Sequence, residues 1–162
     1  MFALRLVYVL ALAVWLGGMT ILGAVVAPTI FQTLQAADAG AGRALAGLAF
    51  GAILGRFHYV AYGCGALLFV TLIAMALLGP RPRHFAIRCA IVTGMLLVSV
   101  YSGLMVLGEI DAIQTEVGTL PSRLPEGDPR RIRFDELHVL STRLMMVDLL
   151  GALVLLYWEA RE

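Results

Sequence analysis

The chain has 162 residues, of which 60% are hydrophobic and 14% are charged, and its formal net charge is +1. A mean hydropathy of +0.90 excludes an ordinary soluble domain. The near-zero net charge gives no general attraction to nucleic acid, so no nucleic-acid partner is expected. The length leaves room for one membrane domain over residues 1–162 and for no separate soluble domain.

Four long apolar segments fill most of the sequence, at about residues 6–30, 57–78, 86–107 and 137–158. Each has ~20 residues or more, and at ~1.5 Å rise per residue such a helix crosses the ~30 Å hydrocarbon core of a bilayer. A backbone in lipid must satisfy its own hydrogen bonds, which leaves helices or a closed barrel. Barrel strands alternate apolar and polar residues, and segment 67–78 does not. The sequence therefore predicts an all-α, multi-pass integral membrane protein.

Proline and glycine mark the ends of the first predicted helices. The first span is expected to end near Pro28, followed by a short polar turn at 35–42 and a second helix that begins near Arg43. The Gly-Pro-Arg-Pro-Arg run at 79–83 cannot remain helical, because proline lacks the N–H donor and clashes with the preceding turn. This run predicts a tight hairpin between spans two and three.

The second half of the chain has longer polar segments. Span three is expected to continue as a charged helix through Glu109, Asp111 and Glu116, followed by a loop rich in proline and glycine at 118–128. Asp128-Pro129 then has the pattern of an N-cap followed by proline at the first helical position. The fourth helix is expected to start there.

These connections predict an up-down-up-down four-helix bundle with both termini at the end that carries the 79–83 hairpin, which we call side A. The opposite end is side B. Helices two, three and four are longer than a span requires, and their surplus of ~10 Å is expected to project from side B. The hairpin arginines favour side A in the cytoplasm. The arginines assigned to side A are Arg5, Arg81, Arg83, Arg88 and Arg161.

Helix two carries Gly47, Gly51 and Gly55 at four-residue spacing, on one helical face. Small residues at that spacing let two helix backbones approach closely in lipid. We expect this face to pack against another helix of the bundle; the alternative is contact with a second copy of the chain. A homo-oligomer or a larger membrane complex is therefore compatible with the sequence.

Asp148 falls near the bilayer midplane on the fourth helix. The same face is expected to carry Phe134, His138, Ser141 and Met145. An ionisable group at that depth is costly and is expected to face the bundle interior. We expect it to accept a hydrogen bond from Trp15 or Ser99, which lie at the same depth on other helices. The alternative is a proton or cation relay.

A second polar cluster is expected near the side B boundary, made of Arg56, His58, Glu109, Asp111, His138 and Arg143. Two histidines on neighbouring helices have the chemistry to ligate haem or a metal, since neutral imidazole is the commonest metal ligand. No Cys-x-x-Cys or His-x-x-x-His spacing surrounds either histidine. A structural role, with each histidine bonded to a carboxylate or carbonyl, is the other interpretation.

Several short motifs carry a family resemblance: Trp15-Leu16-Gly17-Gly18, Val26-Ala27-Pro28-Thr29-Ile30-Phe31, Gly42-Arg43 with Phe57-His58, and Phe134-x-x-Leu137-His138-x-x-Ser141. Over nearly the whole chain they resemble the transmembrane protein 205-like family of small four-span proteins with a domain of unknown function. The resemblance implies a four-helix membrane protein of undetermined biochemistry. Met145 stands where that family has Asn, which implies a polar contact that is lost or is taken over by Asp148.

A second likeness, of Trp-Leu-Gly-Gly on one helix and Leu-His on another, points to copper-resistance D-type membrane proteins. It implies the haem or metal alternative.

Three classes of function follow. The first is a membrane protein without a catalytic site that acts as a scaffold, accessory subunit or stress- or resistance-related factor, with no cofactor. The second is a haem, metal or quinone site that uses His58 and His138. The third is a proton- or cation-coupled carrier that uses Asp148. The sequence contains no nucleophile–base motif or phosphate-binding loop, so an enzyme is not expected.

Overall fold

The computed structural model describes residues 2–118 and 121–161. Four helices in it are long and apolar enough to cross a membrane: α1, Phe2–Ala37; α2, Gly42–Leu78; α3, Phe85–Val117; and α4, Pro129–Glu159. A short 3₁₀ turn at Pro121–Arg123 lies between α3 and α4, and no strand occurs in the described residues. The predicted all-α four-helix fold is confirmed.

The four helices form a ring in chain order. α1 packs on α2 and α4, and α3 packs on the same two helices, so that α1 lies diagonally across from α3 and α2 across from α4. Arg5, near the start of α1, contacts Glu159 at the end of α4. Both described chain ends therefore lie at side A, beside the 79–84 turn, as an up-down-up-down bundle requires.

The first helix continues past Pro28, whereas the end of the first membrane span near this residue stays a prediction. A π-helical turn at Leu22–Val26 precedes the proline, and in it the Ala27 N–H donates to the Leu22 carbonyl. The wide turn interrupts the regular ladder just where proline would leave a carbonyl without a donor, so the helix continues to Ala37. A second π turn, Ser102–Val106, interrupts α3.

All four helices exceed the length of a span. They contain 36, 37, 33 and 31 residues, whereas ~20 suffice to cross the hydrocarbon core. The expectation that only helices two to four extend is therefore corrected, because α1 extends as well. The predicted polar turn at 35–42 shortens to residues 38–41, where the Asp38 carboxylate accepts hydrogen bonds from the Gly40 and Ala41 N–H groups at 2.7 and 2.9 Å.

The interior is divided into two apolar clusters. The larger one fills the membrane-spanning part of the bundle and includes the fully buried Tyr8, Leu12, Trp15, Leu68, Leu72, Val92, Ala152 and Leu155. A smaller one toward side B contains Val106, Ile113 and Leu137. Many large apolar side chains remain exposed around the bundle, such as Val70 at 61% and Leu150 at 61%. An apolar exterior of this extent is what a lipid environment requires.

The glycine face predicted on helix two does not contact another backbone. A Cβ at Gly51 would meet no atom within 4 Å, and at Gly47 and Gly55 its nearest neighbours are side-chain atoms at 3.9 and 3.6 Å. The close approach occurs instead at Gly42, the first residue of α2, where a Cβ would lie 2.0 Å from the Leu34 carbonyl oxygen. Close packing of Gly47, Gly51 and Gly55 against another helix of the bundle is therefore not found, and contact of this face with a second copy of the chain stays a prediction.

Gly42→Ala should destabilise the fold by about 1–3 kcal/mol, because the added methyl group would collide with a backbone that cannot swing away as a side chain does. The matched substitution Gly51→Ala enters open space and should change stability by less than about 0.5 kcal/mol. Thermal unfolding of both variants in detergent measures the difference. Equal melting temperatures would contradict the assigned contact.

The stability of the first turn of α4 should depend on pH. Asp128 caps the helix by accepting from the Arg130 N–H at 2.9 Å, and the Arg130 guanidinium binds the same carboxylate. These bonds lower the pKa of Asp128 to about 2. Because the folded pKa lies below the ordinary value, the cap stabilises the helix above about pH 4 and is lost as the pH falls toward 2. An NMR titration of the Asp128 carboxyl carbon should show this midpoint; one near the ordinary value would contradict the capping geometry.

Candidate functional site

Asp148 lies on the inner face of α4 and is 5% exposed. The Ser99 hydroxyl of α3 donates to Asp148 Oδ2 at 2.7 Å, as one of the predicted structural contacts requires. The other carboxylate oxygen, Oδ1, is buried and has no hydrogen-bond partner in the described structure. The carboxyl group therefore joins two helices through one oxygen, and its other oxygen can still accept a hydrogen bond. Its role in function stays a prediction.

Ser99 connects three helices. While its hydroxyl bonds to α4, its backbone carbonyl accepts a hydrogen bond from the Tyr62 hydroxyl of α2 at 3.4 Å. Trp15 of α1 is fully buried in the same core, and a Cβ built on Gly65 would lie 3.0 Å from its ring. The polar chain from Tyr62 through Ser99 to Asp148 is thus enclosed by apolar packing, where hydrogen bonds to buried polar groups matter most.

A second buried carboxylate, Glu159, lies at side A. It accepts from Arg88 of α3 at 2.8 Å and also pairs with Arg5 of α1. Arg88 is completely buried and its guanidinium carbon lies 6.0 Å from the centre of the Tyr8 ring. The prediction had assigned Arg88 only to the charged end of the bundle. Arg88 does lie at that end, but it points inward and pairs with the acid at the end of α4.

The two carboxylate contacts form a regular ladder between α3 and α4. Arg88 and Ser99 are eleven residues apart on α3, and Asp148 and Glu159 are eleven apart on α4. Eleven residues make about three helical turns, ~16 Å, so each pair shares one face. Because α3 and α4 are antiparallel, the register that brings Ser99 to Asp148 also brings Arg88 to Glu159, three turns away. The spacing was visible in the sequence and could have identified Arg88 and Glu159 as interior residues.

The same spacing explains where His138 lies. Leu137 is eleven residues before Asp148 and is 2% exposed, so it occupies the inner face at that height. His138 follows it, about 100° further around the helix, and is exposed, with its ring stacked on Phe134 at 6.5 Å between centroids. The placement of His138 on the interior face is wrong. Ser141 and Met145, from the same predicted face, are half-buried.

His58 has a structural environment. Its Nδ1 lies 2.9 Å from the Leu54 carbonyl oxygen, one turn earlier on α2, and its ring lies against Gly103 of α3. α2 and α4, which carry the two histidines, are diagonal rather than neighbouring helices. A shared ligand site needs both imidazoles at the interior, and the exposed His138 does not provide one. Among the described residues no group of three or more His, Cys, Asp or Glu side chains could hold a metal ion.

The polar residues of side B do not form one cluster; they are exposed or form ion pairs at the surface. Glu109 binds the Arg133 guanidinium through two hydrogen bonds, at 2.6 and 2.9 Å, and Glu136 lies 3.4 Å from the same arginine. Arg56 and Asp111 are exposed, and Arg143 lines an open surface groove on α4. Exposed ion pairs of this kind contribute little to stability. The structure does not join these residues to either histidine in one site.

Glu159→Gln should destabilise the bundle by about 3 kcal/mol, because it takes the anionic partner from a guanidinium that remains buried. Glu136→Gln removes a carboxylate from an exposed ion pair and should cost less than about 1 kcal/mol. Equilibrium unfolding of both variants in the same detergent gives the comparison. A smaller effect for the buried site than for the exposed one would contradict the ladder.

Searches of curated proteins and of solved structures found no match to the chain. A family model does match, that of a domain of unknown function, DUF4149, over residues 10–118. The matched region contains most of α1 and all of α2 and α3, whereas the α4 side of the ladder lies beyond it. Because the match covers about two thirds of the sequence, the chain belongs to the family of this domain of unknown function, DUF4149.

Proposed function

We propose that this protein is a non-catalytic membrane component, a four-helix scaffold or accessory subunit of a larger membrane complex. One observation carries the proposal: both acidic side chains buried in the described interior are bonded to neighbouring helices. Asp148 accepts from Ser99, and Glu159 pairs with Arg88 and Arg5. Each of these carboxylates links neighbouring helices, which supports a role in holding the bundle together.

The resemblance to the transmembrane protein 205-like family and to copper-resistance D-type proteins adds a stress- or resistance-related role to this proposal. In this proposal side A, which carries the arginines of the 79–83 hairpin, faces the cytoplasm. The haem, metal or quinone alternative has no support from the described positions of His58 and His138.

A second candidate is a proton- or cation-coupled carrier centred on Asp148. The observation that favours it is the buried Oδ1 atom without a hydrogen-bond partner in the described part of the chain. An ionisable group inside a membrane bundle is a common position for a proton relay. In this candidate Oδ1 would take up and release a proton while Oδ2 keeps the bond to Ser99.

Proton flux separates the two candidates. The purified chain, reconstituted into liposomes that contain a pH-sensitive dye, should give no more flux under an imposed potential than empty liposomes. Asp148→Asn should also leave the fold stable to within about 1 kcal/mol, since the amide oxygen still accepts from Ser99. Flux in the wild type that Asp148→Asn abolishes, and that the exposed control Asp135→Asn retains, would overturn the scaffold proposal in favour of the carrier.

The scaffold proposal also has a direct test. The tagged chain, extracted from its native membrane into lipid nanodiscs without detergent, should be found in particles that contain a second polypeptide in stoichiometric amount by native mass spectrometry. A particle that holds only the 17.4 kDa monomer would contradict an accessory subunit.

A further inference from the structure

The outward face of α4 carries a regular line of large side chains, which we call the outer seam. Its members recur at alternating intervals of four and three residues from Ile132 to Tyr157, which is the spacing of a coiled-coil seam. The six apolar members, each between 44% and 61% exposed, are Ile132, Val139, Met146, Leu150, Leu153 and Tyr157. The remaining members, Glu136 and Arg143, are exposed as well. The described part of the bundle therefore leaves the whole outer seam uncovered.

α4 is also the helix that the others enclose least. In its most apolar stretch 17% of the residues are buried inside the bundle, against 28% to 39% in the other three helices. A shallow groove of about 550 Å³ follows the side B half of the outer seam, and Glu136, Val139 and Arg143 are among its walls. α4 thus offers both the uncovered surface and the groove into which the side chains of another helix could pack.

Arg143 places a charge on this surface at membrane depth. It lies sixteen residues before Glu159, or ~24 Å along the helix, whereas the hydrocarbon core is ~30 Å thick and the aromatic residues at 157–158 mark its side A edge. Arg143 forms no hydrogen bond or ion pair with a residue that the structure describes, although Asp135 and Glu136 line the same groove. A guanidinium that faces lipid at this depth is costly unless a carboxylate pairs with it.

A second copy of the chain does not supply that carboxylate. Two copies inserted in the same orientation are related by a twofold axis along the membrane normal, so their α4 helices would run parallel. Each residue of the outer seam would then lie opposite its own counterpart, Arg143 against Arg143 and Glu136 against Glu136. Both of these pairs are like charges and repel each other. The charges on the outer seam therefore select a partner other than the chain itself.

We propose that the outer seam of α4 is the docking face for an apolar membrane helix of a different protein, which carries a carboxylate opposite Arg143. The inference rests on the scaffold proposal and names the face that the larger complex uses and the chemistry of the partner. The apolar members of the outer seam pack against the partner helix, and the ion pair at Arg143 fixes the relative height of the two helices. A helix without the acid would leave Arg143 unpaired, so this residue also supplies specificity.

The test uses the full chain in liposomes, labelled with a fluorescence donor, and an acceptor-labelled transmembrane peptide of leucine and alanine. One peptide has a single Glu at the depth of Arg143, and a second has Gln there. The Glu peptide should associate with the wild type about tenfold more tightly than the Gln peptide does, the factor expected for one interhelical polar contact. Arg143→Gln should lose this preference and keep the wild-type melting temperature, because Arg143 bonds to no described residue.

The matched control is Arg56→Gln, which removes an exposed arginine from α2, the helix diagonal to α4, and should keep the preference for the Glu peptide. In the reverse exchange, Arg143→Glu should reject the Glu peptide and bind a peptide that has Arg at the same depth. Equal association of the Glu and Gln peptides with the wild type, or an equal loss of preference in Arg143→Gln and Arg56→Gln, would overturn the docking face.

The native membrane separates this inference from the scaffold proposal. A photo-crosslinking residue at position 146, beside Arg143 on the outer seam, should capture an apolar segment of another polypeptide that contains Asp or Glu, and Arg143→Gln should lower the yield. Crosslinks to lipid alone or to a second copy of the chain would overturn the docking face. A nanodisc particle whose partner subunit is fully retained by Arg143→Gln would leave the scaffold proposal standing and overturn the docking face, whereas a particle with only the monomer would overturn both.

Discussion

The contact between α3 and α4 depends on two polar pairs set three helical turns apart, Ser99 with Asp148 and Arg88 with Glu159. Apolar side chains in lipid give helices little preference for one another over the surrounding acyl chains, so packing alone specifies relative position weakly. A polar group in that environment is different, because a sliding movement would leave it without a partner. The two pairs therefore fix the axial register of α3 and α4, and with it the height at which every other residue of these helices lies.

The second of these pairs also connects α1 to the frame. Arg5 reaches Glu159 from the first helix, so that one carboxylate is shared by guanidinium groups from two helices. Removal of a carboxylate from water is costly unless its charge is compensated, and two cations supply that compensation. α2 is attached by other means: through the Tyr62 hydroxyl, through apolar packing with α1, and through the close contact of Gly42 with Leu34. The bundle thus has a buried ion pair at side A and hydrogen bonds at mid-height, with apolar packing between them.

The fold was predictable because long apolar segments in a membrane leave so few structures open. The hairpin after Leu78 and the cap at Asp128 were also predictable, since proline chemistry determines both. The point at which the first helix ends was harder to predict. Pro28 is a helix breaker by its chemistry, and only the preceding π turn makes it tolerable. Burial of Arg88 was missed because an arginine close to a hairpin was counted as part of the charged end, while its partner lay 71 residues away in the sequence.

The candidate site was predictable only in part, for a geometric reason. Asp148 was identified because a lone acid in the middle of an apolar span stands out. His138 was placed wrongly by one residue of rotation, since its neighbour Leu137 takes the inner position. The glycine face of α2 has the spacing of a packing motif, but spacing does not say which neighbour is present. In the structure the tight contacts lie at other glycines, such as Gly42 against α1 and Gly103 against the His58 and Tyr62 side chains.

The two π turns change the helical phase of α1 and α3. Each accommodates one residue more than an α-helical turn, so side chains beyond it are rotated by about 100° relative to an uninterrupted helix. Both turns lie beyond the middle of their helices, toward side B, and the helices run in the same direction. On α1 and α3, the side chains beyond these turns therefore follow a different angular register from those before them. In a relative that lacked either extra residue, an alignment would show a one-residue gap there, and its side B residues would present a different face to α2 and α4.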